Sequence, residues 1–255
     1  LVAFTMYLGQ LYGPIQQLGQ IFDSWQQATV SFDRIRALLA QRTTVPDTGT
    51  NPGAHKAASG PLLFDDTTFS YSASTDTDAS PVIDHMDLTI EPGTTVALVG
   101  PTGAGKSTVV KLLARFYDPT SGEVRASGTN IVEFPLPDWR RALAQVPQES
   151  YLFPGTVADN IAYGAPGATP EEIEAAVNRI GALGVVDTIP GGFNARVGER
   201  GRGLSSGQRQ IIELARAEML SPAVLLLDEA TATLDPATER AVLDAADRAT
   251  SGRTS

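Results

Sequence analysis

The sequence predicts an α/β protein with buried parallel strands, and three observations carry that prediction. An apolar run at residues 95–99 (Thr-Val-Ala-Leu-Val) enters a glycine-rich turn at 100–107 (Gly-Pro-Thr-Gly-Ala-Gly-Lys-Ser), followed by a helix-like run at 108–116. A second apolar run, 223–227 (Ala-Val-Leu-Leu-Leu), ends in Asp228 and Glu229, and uninterrupted runs of this kind belong to strands covered on both faces. Helix starts recur between and after the short strand-like runs: Thr169 stands before Pro170, Glu171 and Glu172, and Ser205 precedes Gln208 at capping-box spacing.

Taken in order, residues 1–22 carry no charge, and the first eight (Leu-Val-Ala-Phe-Thr-Met-Tyr-Leu) are strongly apolar. Gln10, Gln16, Gln17 and Gln20 make the second half too polar for a full membrane span of about 20 apolar residues. The stretch also lacks the basic start and cleavage site of a signal peptide. Ile21, Trp25, Phe32, Ile35 and Leu39 continue at helical spacing, so a helix is expected to about Ala40, loosened near Gly13 and Pro14. It reads as the last turns of a membrane helix with Arg34 and Arg36 at its cytoplasmic end, or as an amphipathic helix packed on a soluble body. Residues 41–60, rich in Thr, Pro, Gly and Ala, read as a linker.

Residues 62–64 and 67–71 read as a strand or hairpin, 72–80 as a solvated loop, and 82–83 with 86–90 as further strand. Residues 123–126, 130–132 and 143–146 read as short strands, 156–163 and 170–180 as helices, and 190–194 as a loop. Pro236 opens a last helix over 237–249.

Composition narrows the function. The 255 residues, 42% hydrophobic, suffice for one substantial domain and an appendage. A net charge of −10 disfavours a nucleic-acid partner. With no cysteine, disulfides and thiolate metal sites are excluded.

The glycine turn is the centre of the chemistry. A strand, a glycine loop and a helix start turn several N–H groups toward one point, with the positive end of the helix behind them, which suits phosphate. Gly100, Gly103 and Gly105 let the backbone curl, Lys106 reaches β- and γ-phosphates, and Ser107 offers its hydroxyl to Mg²⁺. Asp228 and Glu229 end a buried strand, where open α/β sheets bind ligands. One carboxylate there can serve Mg²⁺, and its neighbour can orient or deprotonate an attacking water.

The glycine turn, Gln148, the stretch 204–208 (Leu-Ser-Ser-Gly-Gln), the stretch 225–229 (Leu-Leu-Leu-Asp-Glu) and 233–235 (Thr-Leu-Asp) together resemble the ordered motifs of an ATP-binding-cassette (ABC) nucleotide-binding domain. The resemblance covers roughly residues 61–255, and residues 1–40 resemble the end of the last membrane helix of an ABC exporter half-transporter. It implies a P-loop NTPase (RecA-like) core with an antiparallel β subdomain and a helical signature subdomain at about 150–218, preceded by a long N-terminal helix.

ATP and Mg²⁺ are the implied cofactors. By resemblance, Tyr71 stacks on adenine and Gly100, Pro101, Thr102, Gly103, Ala104, Gly105, Lys106, Ser107 and Thr108 hold the phosphates. Ser107, Gln148 and Asp228 serve the metal. Glu229 is the catalytic base, Gln148 contacts the lytic water, and Asp235 communicates between the two sites of a dimer. Ser205, Ser206, Gly207 and Gln208 face the γ-phosphate held by an opposing subunit, so the implied partner is a second half-transporter, identical or related. Residues 197–201 (Val-Gly-Glu-Arg-Gly) resemble the exporter coupling segment.

The implied function is ATP binding and hydrolysis that drives movement of a small-molecule or lipid substrate, with this domain on the cytoplasmic side of an inner or plasma membrane. A soluble mechanical ATPase and an inactive nucleotide-dependent scaffold are the alternatives. Acidic charge, the apolar start and residues 197–201 weigh against the first, and Glu229 against the second. The sequence departs from the family at Ser206, where glycine is commoner, and at Ala195 and Arg196, where Thr-Glu is usual. His55 and His85 lie outside the segment of the family's switch histidine, which is expected beyond Ser255 after a strand starting near Arg253. The chain is therefore expected to bind ATP better than it turns it over.

Overall fold

The structure, a computed structural model, describes residues 2–41, 43–71, 80–148, 150–228 and 236–255. It divides into two units, Leu1–Thr44 and Val45–Ser255.

The first unit is one helix, α1 (Val2–Leu39), unbroken through Pro14. At 1.5 Å per residue it is roughly 57 Å long. Phe22, Trp25, Phe32 and Ile35 are all exposed along it. Among the described residues no helix is long and apolar enough to cross a membrane, in keeping with the glutamines that dilute its first half.

In the second unit, part of the stretch expected as a linker is ordered against the body. Val45 is buried, as are Ala54 and Ala58 of the short helix α2 (Ala54–Ala58). The wholly buried Arg115 donates to Pro46 O (2.9 Å) and pairs with Asp118 (3.0 Å). Strand β1 (Leu62–Phe69) unites the two predicted runs, with Asp66 at φ +46° where the register shifts. It pairs antiparallel with β2 (Ile83–Ile90) on one side and with β3 (Ser121–Ala126) on the other. Helix α3 (Lys106–Leu113) packs Val109, Leu112 and Leu113 into the same core. The strand predicted at 130–132 is shorter: β4 (Thr129–Asn130) gives way to a 3-10 turn because the Asn130 side chain caps Val132 N–H. Helix α4 (Leu136–Arg141), which the sequence did not announce, buries Trp139, whose Nε1–H bonds to Leu113 O (2.8 Å).

After β5 (Leu143–Val146) come β6 (Gly155–Thr156), α5 (Val157–Ile161), α6 (Pro170–Arg179) and α7 (Leu183–Asp187). Then follow β7 (Arg196–Val197), which pairs with β6, and α8 (Ser206–Met219). Thr169 and Ser205, the helix-start residues read from sequence, both form capping boxes, and Thr156 adds a third that the sequence analysis does not name. Strand β8 (Val224–Leu227) runs parallel to β5, and α9 (Pro236–Thr250) follows.

The β5–β8 pair divides two apolar cores. Ala144, Val146 and Leu225 face the helical core with Ile211 and Ile212, while Leu143, Val224 and Leu226 face the β core with Phe64 and Leu112. Because strand side chains alternate, a strand covered on both faces must be apolar at every position. That is why 223–227 reads as an unbroken run.

Residues 95–99, predicted as a strand, form no ladder. Val96 N–H bonds to Ser255 O (2.8 Å) and Ser255 N–H to Thr94 O (3.0 Å), while Thr254 bridges parallel to Val224. The order across this layer is thus β5, β8, Thr254–Ser255, then 94–96. Beyond Val96 the backbone has no such partner among the described residues, and a cavity of about 370 Å³ lies between 95–98 and Leu225–Asp228. An extended segment counts as a strand only where a neighbour takes its hydrogen bonds; Val99 is 92% exposed instead.

Candidate functional site

The loop at 100–107 has the conformation its glycines require. Gly103 and Gly105 both sit at φ +87°. A Cβ on Gly105 would also stand 2.7 Å from Ile83 Cδ1 and 3.0 Å from Val82 O, so a side chain here meets backbone strain and crowding together. Gly105 caps α3, with Thr108 and Val109 N–H bonding back to its carbonyl (2.9 and 3.0 Å). The first N–H groups of such a helix lack intrahelical partners and point out of its end. Gly100, Pro101, Thr102, Gly103 and Ala104 form the exposed rim, closed by Ala104 N–H to Pro101 O (3.1 Å). Lys106 Nζ arches back over this rim and donates to Gly100 O (2.8 Å) and Pro101 O (3.1 Å). A cation is held at the loop mouth by carbonyls that a phosphate oxygen can replace.

Two further predicted residues converge there. Asp228 follows β8, its N–H bonded to Val146 O (3.0 Å), and Ser107 Oγ donates to Asp228 Oδ1 (3.4 Å). Gln148 lies two residues past the end of β5, whose last pair is Val146 with Leu227. Parallel pairing therefore brings Gln148 and Asp228 out at the same strand ends, beside the loop. Among the described residues no three His, Cys, Asp or Glu side chains gather to hold a metal. One hydroxyl and one carboxylate fit Mg²⁺, a hard cation that takes few protein ligands and completes its shell with water and substrate phosphate.

Tyr71 stands at the side of α3. Its OH bonds to Thr108 Oγ1 (3.0 Å), its ring meets Phe69 and Tyr117 edge-on at 5.0 and 5.2 Å, and Lys111 Nζ lies 5.5 Å from the ring centre. It is 46% exposed, so part of its ring remains open beside the glycine loop.

The residues 205–208 form the head of α8. Ser205 Oγ accepts from Gln208 N–H (3.2 Å), Gln208 Oε1 accepts from Ser205 N–H (2.9 Å), and Gln208 Nε2 donates to Thr188 Oγ1 (3.2 Å). Ser205 is exposed and Gly207 buried. This helix belongs to the helical core, whereas α3 belongs to the β core. Within one chain, then, the glycine loop and Tyr71 lie with α3 beside the β core, Asp228 reaches them from the end of β8, and 205–208 head a helix of the other core. Glu229 and Asp235 lie outside the described residues.

Sequence reasoning missed Glu213 and Arg216 of α8. Glu213 is 4% exposed, its Oε1 accepts from Tyr151 N–H (2.6 Å), and burial pushes its carboxyl pKa up, against the opposing pull of Tyr151 N–H, Ser150, Arg216 and Arg209. Burial also lowers the Arg216 pKa, with Glu213 acting against it. A charge inside the apolar run Ile211-Ile212-Glu213-Leu214 is the signal that could have marked it.

Comparisons with known proteins bear on this arrangement. Residues 83–232, more than half of the chain, match the family model described as ABC transporter. The chain is 44% identical over 95% of its length to a multidrug efflux ATP-binding/permease protein of Mycobacterium bovis, covering 20% of that protein. It is 38% identical over 94% of its length to human ATP-binding cassette sub-family B member 6, covering 28% of it. Among solved structures, a bacterial Atm1-family ABC exporter with ATP bound superposes with a TM-score of 0.77 at 34% identity, over 97% of this chain and 43% of that one. The chain thus spans a fifth to under a third of the length of these curated relatives.

Proposed function

Because the chain belongs to the ABC transporter family, we propose that it is the nucleotide-binding and ATP-hydrolysing part of an exporter, working as one of a pair. The observation that carries this reading is the 3.4 Å approach of Ser107 Oγ to Asp228 Oδ1 at the mouth of the glycine loop. That contact joins the phosphate-binding end of α3 to the acidic end of β8, the two halves a magnesium–nucleotide complex needs.

In this reading the loop amides and Lys106 take the β- and γ-phosphates, Lys106 exchanging two carbonyls for phosphate oxygens. Ser107 and Asp228 hold Mg²⁺, which supplies charge neutralisation on those oxygens. Tyr71 offers its open face to adenine. Gln148 orients the lytic water and Glu229 takes its proton as the water oxygen attacks the γ-phosphorus and the bond to the bridging oxygen breaks. ADP and phosphate are the products.

The head of α8 has no part in the chain's own loop, and that supports a role in trans. Ser205, Ser206, Gly207 and Gln208 of one subunit face the γ-phosphate on the other, with Asp235 beside the shared site. ATP then favours the closed pair because only the triphosphate reaches both subunits. Hydrolysis removes that bridge, and helix α1 relays the separation to membrane-spanning segments, at a cytoplasmic membrane face, for a small-molecule or lipid cargo.

The test is nucleotide affinity. Lys106→Ala should weaken ATP binding about a hundredfold, the scale expected from losing a charge-assisted phosphate contact. Isothermal titration that returns an unchanged Kd would overturn the phosphate-loop assignment.

A further inference from the structure

Residues 147–148 and 150–154 form neither helix nor strand, so side chains must fix their course. Two of those side chains come from one face of α8. Glu213 accepts the Tyr151 N–H (2.6 Å), and Arg216, one turn later, donates from Nη1 to the Tyr151 carbonyl (3.3 Å). A single peptide residue is gripped at both its polar groups by an i, i+3 pair. Ser150 adds a hydrogen bond to the same Glu213 carboxylate. Arg216 also donates to Asn160 O (2.8 Å) and Asn160 Oδ1 (3.1 Å), and the buried Asn160 holds Phe153 through both N–H and C=O (2.8 and 2.9 Å). The guanidinium lies over the rings of Phe153 and Tyr163 at 5.7 and 5.5 Å.

The buried carboxylate is costly. Its Oε2 has no hydrogen-bond partner among the described residues, and burying a carboxyl that lacks a full set of partners carries a desolvation penalty. What it secures is position. Tyr151 comes three residues after Gln148, and Glu213 comes five residues after Gln208 on the helix that begins at the signature.

We propose that Glu213, with Arg216, is a positioning pair that fixes the loop carrying Gln148 to the signature helix, so that nucleotide contacts at Gln148 and the placement of Ser205–Gln208 are set together. This rests on the functional reading above, and the experiment separates the two. Hydrogen exchange is followed on the 255-residue chain with and without Mg·ATP, alongside the ATP Kd. In the unsubstituted chain ATP slows exchange in 150–153 and in 205–208. Glu213→Met, close in size but without an acceptor, leaves the Kd within about twofold, speeds exchange at Tyr151 by about tenfold, and abolishes the ATP-dependent slowing at 205–208. Glu213→Gln, which keeps the acceptor oxygen, restores both. A purely structural role would loosen 205–208 without nucleotide and leave the ATP response intact. Persistence of that response in Glu213→Met overturns the proposal, as does its absence from the unsubstituted chain while ATP binds. Failure of the unsubstituted chain to bind ATP overturns the functional reading as well. Should Glu213→Met not fold, Tyr151→Pro removes the donor from the other side and is read in the same way.

Discussion

Single residues at this site work against their own solvation, and their pH dependence follows. Burial raises the Glu213 carboxyl above the ordinary glutamate value, so the ionised form is favoured more in the unfolded chain than in the fold. A group with a raised folded pKa supports the fold fully below its unfolded value and loses that support as pH rises through the folded one. Glu213→Gln should therefore be more stable than the parent at neutral pH, with the difference vanishing as pH falls toward about 4, the ordinary glutamate range. Urea unfolding from pH 4 to 8 measures this; a difference that grows on acidification would reverse the assignment. Gly105 is fixed by steric contact and φ together, while the open space around Gly103 leaves that residue fixed by φ alone.

Among the elements, α8 carries the most. Its N-terminus holds the signature residues, its middle holds Glu213 and Arg216, and near its end Glu218 pairs with Arg179 (2.6 Å) and Arg253 (3.0 Å). The capping box at Ser205 fixes where the helix starts. Ser205→Ala should cost about 1 kcal/mol of stability, the usual worth of such a cap, and should fray the first turn as seen by amide exchange. An unchanged denaturation midpoint would show the start to be held by tertiary packing instead. Strand β8 illustrates the complementary case: it stays in place because both cores close on it, and its end delivers Asp228 to Ser107.

At the scale of the whole molecule, the glycine loop opens a helix of the β core while the signature residues head a helix of the other core, and the proposal that a second copy completes each site can be tested directly. Glu229→Gln in the full-length protein should leave ATP affinity unchanged and accumulate an ATP-bound dimer, detectable by size-exclusion chromatography with Mg·ATP. A variant that stays monomeric under every nucleotide condition, or that turns over at the parent rate, would remove Glu229 from its proposed role.

The sequence by itself determined the local chemistry: the glycine loop, the capping boxes at Thr169 and Ser205, the buried run at 223–227 and the family these motifs compose. Each rests on neighbours within a few residues, where backbone sterics and side-chain reach decide the outcome. Contacts between distant segments were settled by the tertiary structure alone. It brought Ser107 to Asp228 across more than a hundred residues, packed Val45 and Ala54 onto a body from which composition would have left them free, and withheld a strand from 95–99. It also turned Glu213 inward to hold Tyr151. Such contacts depend on which surfaces meet, and short-range pattern carries no record of that.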